Sequence, residues 1–163
     1  MAYLLDTNVF IQAKNLHYGL DFCPAFWEWL IVRNAASQVF SIEHVRAEIE
    51  AGGDELARWA ADRGPGFFLK PDPVMLPALG LVSSWATTGQ HYEPAAVSTF
   101  LQVTDYYLVA HALAHGHTVV TQETASLSTK KIKIPDACIG LGVKCATPFE
   151  MLRRERARFV LGR

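Results

Sequence analysis

Apolar positions along the chain fall into short blocks of two kinds. Brief stretches built around adjacent apolar residues, at residues 2–6, 39–41, 67–69, 117–122 and 142–146, read as buried strands. Between them lie longer stretches with apolar residues at helical spacing, at residues 7–17, 24–37, 42–51, 54–63, 73–87, 94–102 and 104–115, and again after Pro148. The punctuation agrees. Pro24 suits the first turn of a helix, where its missing N–H would have no intrahelical partner. Thr7 or Asn8 can cap the first helix and Ser41 the third, which Gly52-Gly53 ends. Gly64-Pro65-Gly66 breaks the chain, a turn is expected at Gly89-Gln90-His91, and Gly116 closes the helix before it. A Ser/Thr/Lys-rich loop through Lys133 and a short Pro135-initiated turn precede the last strand. Strands alternating with helices imply parallel pairing through right-handed crossovers. The expectation is a single α/β domain over residues 1–163, a three-layer α/β/α sandwich with a central parallel sheet of four to five strands. Ligands of such sheets bind beyond the carboxyl ends of the strands.

Two acids stand at such ends: Asp6 closes the first apolar run and Glu123 the fourth. Stability explains them poorly. Two like charges about 4 Å apart repel by about 4 kcal/mol at an effective dielectric near 20, and a fold gathers such charges mainly to hold a cation. Asp105 stands on the apolar stripe of its helix, with Leu108, Val109 and Ala112 three, four and seven residues on. The helix dipole would equally favour a carboxylate there, with Thr104 as the cap. In the stretch 42–51, Glu48 stacks on Val45 and borders Ile49, so periodicity picks it over Glu43 and Glu50 as the half-buried acid. Asp6, Glu48, Asp105 and Glu123 are therefore expected to converge on one divalent-metal site, with Glu50 pointing elsewhere. Asn8 would orient the Asp6 carboxylate or a water, and Thr121 the Glu123 carboxylate; backbone capping at the strand–helix junctions is the other reading of both.

Leu5-Asp6-Thr7-Asn8-Val9, Val45 with Glu48-Ile49, Asp105 with Leu108-Val109-Ala110, and Val119-Val120-Thr121-Gln122-Glu123 resemble the PIN-domain pattern in order and spacing. The resemblance runs from residue 2 to about residue 151. Asp21-Phe22-Cys23-Pro24-Ala25-Phe26-Trp27 and Ile134-Pro135-Asp136-Ala137-Cys138 further resemble a PIN-like bacterial family of unknown function. The resemblance implies a compact nuclease with Mg²⁺ or Mn²⁺ held by Asp6, Glu48, Asp105 and Glu123. Many PIN domains are ribonuclease toxins of bacterial toxin–antitoxin pairs, the VapC-like proteins. An RNA substrate, an antitoxin protein and a homodimer are thus the implied partners. Two departures from the VapC-like pattern stand out: Glu123 where Asp is usual, and Ala125-Ser126-Leu127 where an aromatic commonly follows. A catalytically weak PIN module that binds RNA or protein is the alternative they raise. Phosphodiester hydrolysis suits the acids themselves, because Mg²⁺ takes hard oxygen ligands and acidifies water. A dehalogenase-type phosphatase would want a second Asp two residues after the first, and Asn8 stands there.

Composition narrows the setting. Half of the 163 residues are hydrophobic, enough for one domain with a substantial core. No run of about 18 apolar residues offers a membrane span, and the first residues lack a signal-peptide pattern, so a cytoplasmic location is expected. Cys23, Cys138 and Cys145 are an odd set without a CxxC pair, which reads as small buried residues in a reducing compartment. Charge is split along the chain. Residues 1–129 carry 6 basic and 13 acidic side chains, and residues 130–163 carry 9 basic and 3 acidic. Lys130, Lys131 and Lys133 follow Glu123 closely and are the expected RNA contacts. Arg153, Arg154, Arg156 and Arg158 are expected on a terminal helix. A solvated basic surface is the competing reading of both groups. His111 and His115 share a helix face but lack the flanking Glu of a zinc-protease motif.

Overall fold

In a computed structural model, residues 2–89 and 91–162 are described, so Gln90 of the expected 89–91 turn lies outside the described residues. The five apolar runs form five strands, most of them shorter than the run: β1 (Tyr3–Leu5), β2 (Val39–Ile42), β3 (Phe68–Leu69), β4 (Thr118–Val120) and β5 (Cys145–Ala146). They pair in the order β3-β2-β1-β4-β5, every pair parallel. All three residues of β1 and of β4 are buried. Cover on both faces is why these runs are continuous and not alternating.

Nine α-helices connect and flank the strands among the described residues: α1 (Thr7–Gln12), α2 (Pro24–Ala35), α3 (Glu43–Glu50), α4 (Glu55–Ala61), α5 (Met75–Thr87), α6 (Pro94–Phe100), α7 (Thr104–His115), α8 (Ile134–Leu141) and α9 (Pro148–Arg154). From β1 the chain steps one way to β2 and β3, then returns past β1 to β4 and β5. Right-handed crossovers send those two directions of travel to opposite faces. Helix contacts follow: α3 packs on α1 and α4, while α5, α7 and α8 pack on one another. The result is the three-layer α/β/α sandwich. One hydrophobic core runs through it, including Leu4, Phe10, Leu30, Leu108, Val119 and Met151. The aromatic residues of α2 belong to that core, with Trp27 meeting Trp59 edge-on at 5.0 Å. Val32, on the same helix, is 63% exposed instead.

Several element ends differ from expectation. Asp6, not Thr7 or Asn8, caps α1. Residues 13–17 leave the α-helix and form a π-helical turn. Ser41 does not cap α3; its hydroxyl donates to the Leu5 carbonyl at 2.6 Å, tying β2 to β1. Val103 takes the cap position of α7, so Thr104 is its first residue. Pro135 opens a full helix, α8, and not a short turn. Helix α9 stops at Arg154, which leaves Arg156 and Arg158 beyond it.

Candidate functional site

The sheet reverses its strand order beside β1, whose neighbours β2 and β4 belong to the two directions of travel. Such a point leaves a crevice outside the carboxyl ends of the two strands. Leu5 is in register with Val120, so the residues that follow each strand emerge side by side. Asp6 donates its backbone N–H to the Val120 carbonyl at 2.9 Å. Its carboxylate accepts from the Thr7 N–H at 2.7 Å and from the Thr121 hydroxyl at 2.9 Å. The Thr121 oxygen in turn accepts from Asn8 Nδ2 at 3.3 Å and from the Glu123 N–H at 3.1 Å. Asn8 Oδ1 accepts from the Gln122 N–H at 3.0 Å. The expected roles are thereby exchanged in part. Thr121 binds the Asp6 carboxylate and only the backbone of Glu123, and Asn8 acts on Asp6 through Thr121.

Asp105 enters from the first turn of α7 and Glu48 from α3. A stacked ring pair sets these two helices against each other: His44 and Tyr107 lie 4.1 Å apart at 6°. His44 is one turn before Glu48, and Tyr107 is two residues after Asp105. Nothing in the sequence signals this clamp, because neither residue breaks the periodicity of its helix.

Asp6, Glu48, Asp105 and Glu123 line one cavity of about 410 Å³, together with Thr7, Asn8 and Lys131. Their depths differ. Asp6 is 4% exposed, Asp105 and Glu123 are half-buried, and Glu48 is exposed at the rim. The expectation of a half-buried Glu48 fails because Val45 and Ile49 alone set the inner face of α3, and Glu48 sits on its flank. Glu50 points elsewhere and pairs with Arg46 at 2.9 Å.

Burial raises the Asp6 pKa from 3.8 to about 7, with the Asp105 charge adding to it and the Thr121 and Thr7 bonds opposing. Burial likewise raises Asp105 from 3.8 to about 6, helped by Glu123 and Glu48 and opposed by Lys131 and Lys133. The cavity is short of positive charge. Glu123 also reaches away from it: Oε2 accepts from the Ile134 N–H at 2.9 Å, at the start of α8.

Of the lysines, Lys131 lines the acidic cavity, Lys133 acts on Asp105, and Lys130 lines an adjoining cavity. The chain after α9 passes the other edge of the sheet, where Arg154 acts on Tyr3. There Tyr3, at the start of β1, donates its hydroxyl to Glu155 at 3.0 Å, and Arg33 donates to the Glu155 carbonyl at 3.3 Å. His111 is buried, with its ring 4.9 Å from that of His115, and burial lowers its pKa to about 4. His115 meets Asp72 at 2.7 Å. Cys138 is buried, while Cys23 and Cys145 are half-buried.

The acids fit a hard divalent cation by donor chemistry and charge. Carboxylate and hydroxyl oxygens face the cavity with neither thiol nor imidazole among its lining. Thr7 Oγ1 is buried there without a partner. Among the described residues, no three His, Cys, Asp or Glu side chains stand close enough together to hold an ion as placed. The acids thus line the cavity without forming a finished cage. Among the described residues, no helix is long and apolar enough to cross a membrane.

Comparison with known proteins agrees with one family along nearly the whole chain. The chain belongs to the family described as Domain of unknown function (DUF4411), which it matches over residues 3–159. No curated protein and no solved structure matches it.

Proposed function

We propose that this chain is a divalent-metal-dependent endoribonuclease that hydrolyses RNA phosphodiesters, with Asp6, Glu48, Asp105 and Glu123 as the acids that hold Mg²⁺ or Mn²⁺. One observation carries the reading: four acids from four separate elements line a single cavity at the crevice of the sheet. What a cation supplies there is Lewis acidity toward water and phosphate oxygen. The chain's own residues do the rest. Thr7 and Thr121 fix both oxygens of Asp6, so its carboxylate cannot swing. Asn8 holds Thr121 in place for that bond. Lys131 and Lys133 set positive charge beside Asp105, where an incoming phosphate would pass.

The chain as the toxin of a bacterial toxin–antitoxin pair is part of the same proposal, supported by the sequence resemblance. A second reading, a module that binds RNA or protein with weak catalysis, is favoured by one particular bond. Glu123 Oε2 accepts the Ile134 N–H at the start of α8, which holds its carboxylate partly turned from the cavity.

The deciding experiment pairs a cleavage assay on single-stranded RNA in Mn²⁺ with a thermal melt. Asp6→Asn should abolish cleavage and leave the melting temperature at least as high. Wild-type cleavage by that variant would remove Asp6 from the proposal. Metal-dependent RNA binding without cleavage by the wild type would favour the second reading.

A further inference from the structure

A second cavity abuts the acidic one and shares Thr99, Val103, Asp105 and Lys131 with it. It holds about 190 Å³, and its walls are mostly carbon: Ala96 and Phe100 from α6, Val103, and Ile132 from the lysine loop. Lys130 and Lys131 stand among its lining beside Asp105. The Glu93 N–H donates to the Thr129 carbonyl at 2.9 Å, which fixes the lysine loop against the start of α6. The slot therefore has walls from two elements that are bonded to each other.

We infer that this slot takes the base of one unpaired nucleotide next to the phosphate being cleaved, an inference that rests on the nuclease reading above. Its charge pattern selects the occupant. A ligand that fits must be apolar and compact inside the slot and anionic where the two ammonium groups stand. It must also continue into the acidic cavity. A nucleotide has that order of parts: base, sugar, phosphate. A base paired in a duplex cannot enter such a slot without being unstacked, so the slot makes the site selective for single-stranded or looped RNA.

The test uses the whole chain, free of metal, at low salt. Uridine 5′-monophosphate, ribose 5-phosphate and inorganic phosphate are titrated separately and followed by NMR. The nucleotide should bind about tenfold tighter than ribose 5-phosphate, equivalent to about 1.4 kcal/mol. Ala96→Leu fills the slot and should erase that preference while phosphate binding persists. Lys130→Ala, a change at an exposed residue, should weaken all three ligands. Equal wild-type affinities for the nucleotide and for ribose 5-phosphate overturn the slot, whether or not Ala96→Leu folds. So does a base preference that survives in folded Ala96→Leu. A base preference without any RNA cleavage in Mn²⁺ supports the slot and sinks the nuclease reading. Cleavage without a base preference sinks the slot alone.

Discussion

Asp6 caps α1, is hydrogen-bonded and almost fully buried, yet it titrates near neutrality. Its folded pKa of about 7 stands above the 3.8 of an ordinary Asp. Between those values the native chain holds a proton that the unfolded chain has lost, so stability falls as pH rises through that window. The full cost is on the order of 4 kcal/mol as an upper bound. His111 works in the opposite sense. Its folded pKa of about 4 lies below 6.5, so stability from its neutral form is present above 6.5 and lost as pH falls toward 4. The two overlap in the wild type, and a difference experiment separates them. In chelator-treated protein, Asp6→Asn should melt higher than wild type at about pH 8, with the gap closing toward about pH 4. Calorimetry across that range checks it, and a gap independent of pH would show that Asp6 carries no such strain. Asp6 and Glu123 are legible in the sequence because an acid just past an apolar run has few structural uses. The exposure of Glu48 is not, since periodicity separates inner from outer faces but does not resolve a flank.

Helix α8 shows what a local pattern hides. Its start is held by Glu123 from a preceding segment, and its end by Gly142 at a φ of 71°. Within the segment only Pro135 announces a helix, and two nearby glycines argue against one, which is why the local pattern reads as a turn. Gly140 has a tertiary reason: a Cβ there would collide with the indole of Trp85 on α5. Alanine has the better helix propensity by about 1 kcal/mol, but overpacking costs about 1–3 kcal/mol. Gly140→Ala should therefore lower stability in urea denaturation. If it raised stability, α5 and α8 would have to meet more loosely than this collision requires. The start of α1 is hidden for a related reason. Asp6 stands out as a site acid, and the same carboxylate is also the cap.

The molecule separates its charges end to end. Acids and the lysine loop meet at the carboxyl edge of the sheet, while the arginine-rich tail folds back to the amino end of β1. If RNA follows the lysines, each lost phosphate contact should flatten the logarithmic salt slope by about 0.7 for a single strand. Replacing Lys130, Lys131 and Lys133 with alanine should weaken RNA binding most at low salt. Replacing Arg153, Arg154, Arg156 and Arg158 should change the slope little. Equal losses from the two sets in binding titrations would refute an edge-specific path. The layered architecture is legible from the alternation of strands and helices. The strand order is not, because a crossover's length does not say on which side the next strand will pair. The charge split along the sequence says that basic residues gather late. Only the fold divides them between two edges.

The bond between Glu123 and Ile134 also joins the two ends of the segment that carries Lys130, Lys131 and Lys133. Inside it, Ser126 and Ser128 turn the backbone by accepting N–H bonds from Ser128 and Lys130, and Leu127 stands fully exposed. Such a segment behaves as a cassette with a clasp. Doubling a loop's length adds only about 0.6 kcal/mol of closure cost, and the clasp keeps any longer version anchored at the same two points. The tip around Leu127 can therefore accept insertions, while Thr129, bonded to Glu93, and buried Ile132 hold the rest of the segment against the fold.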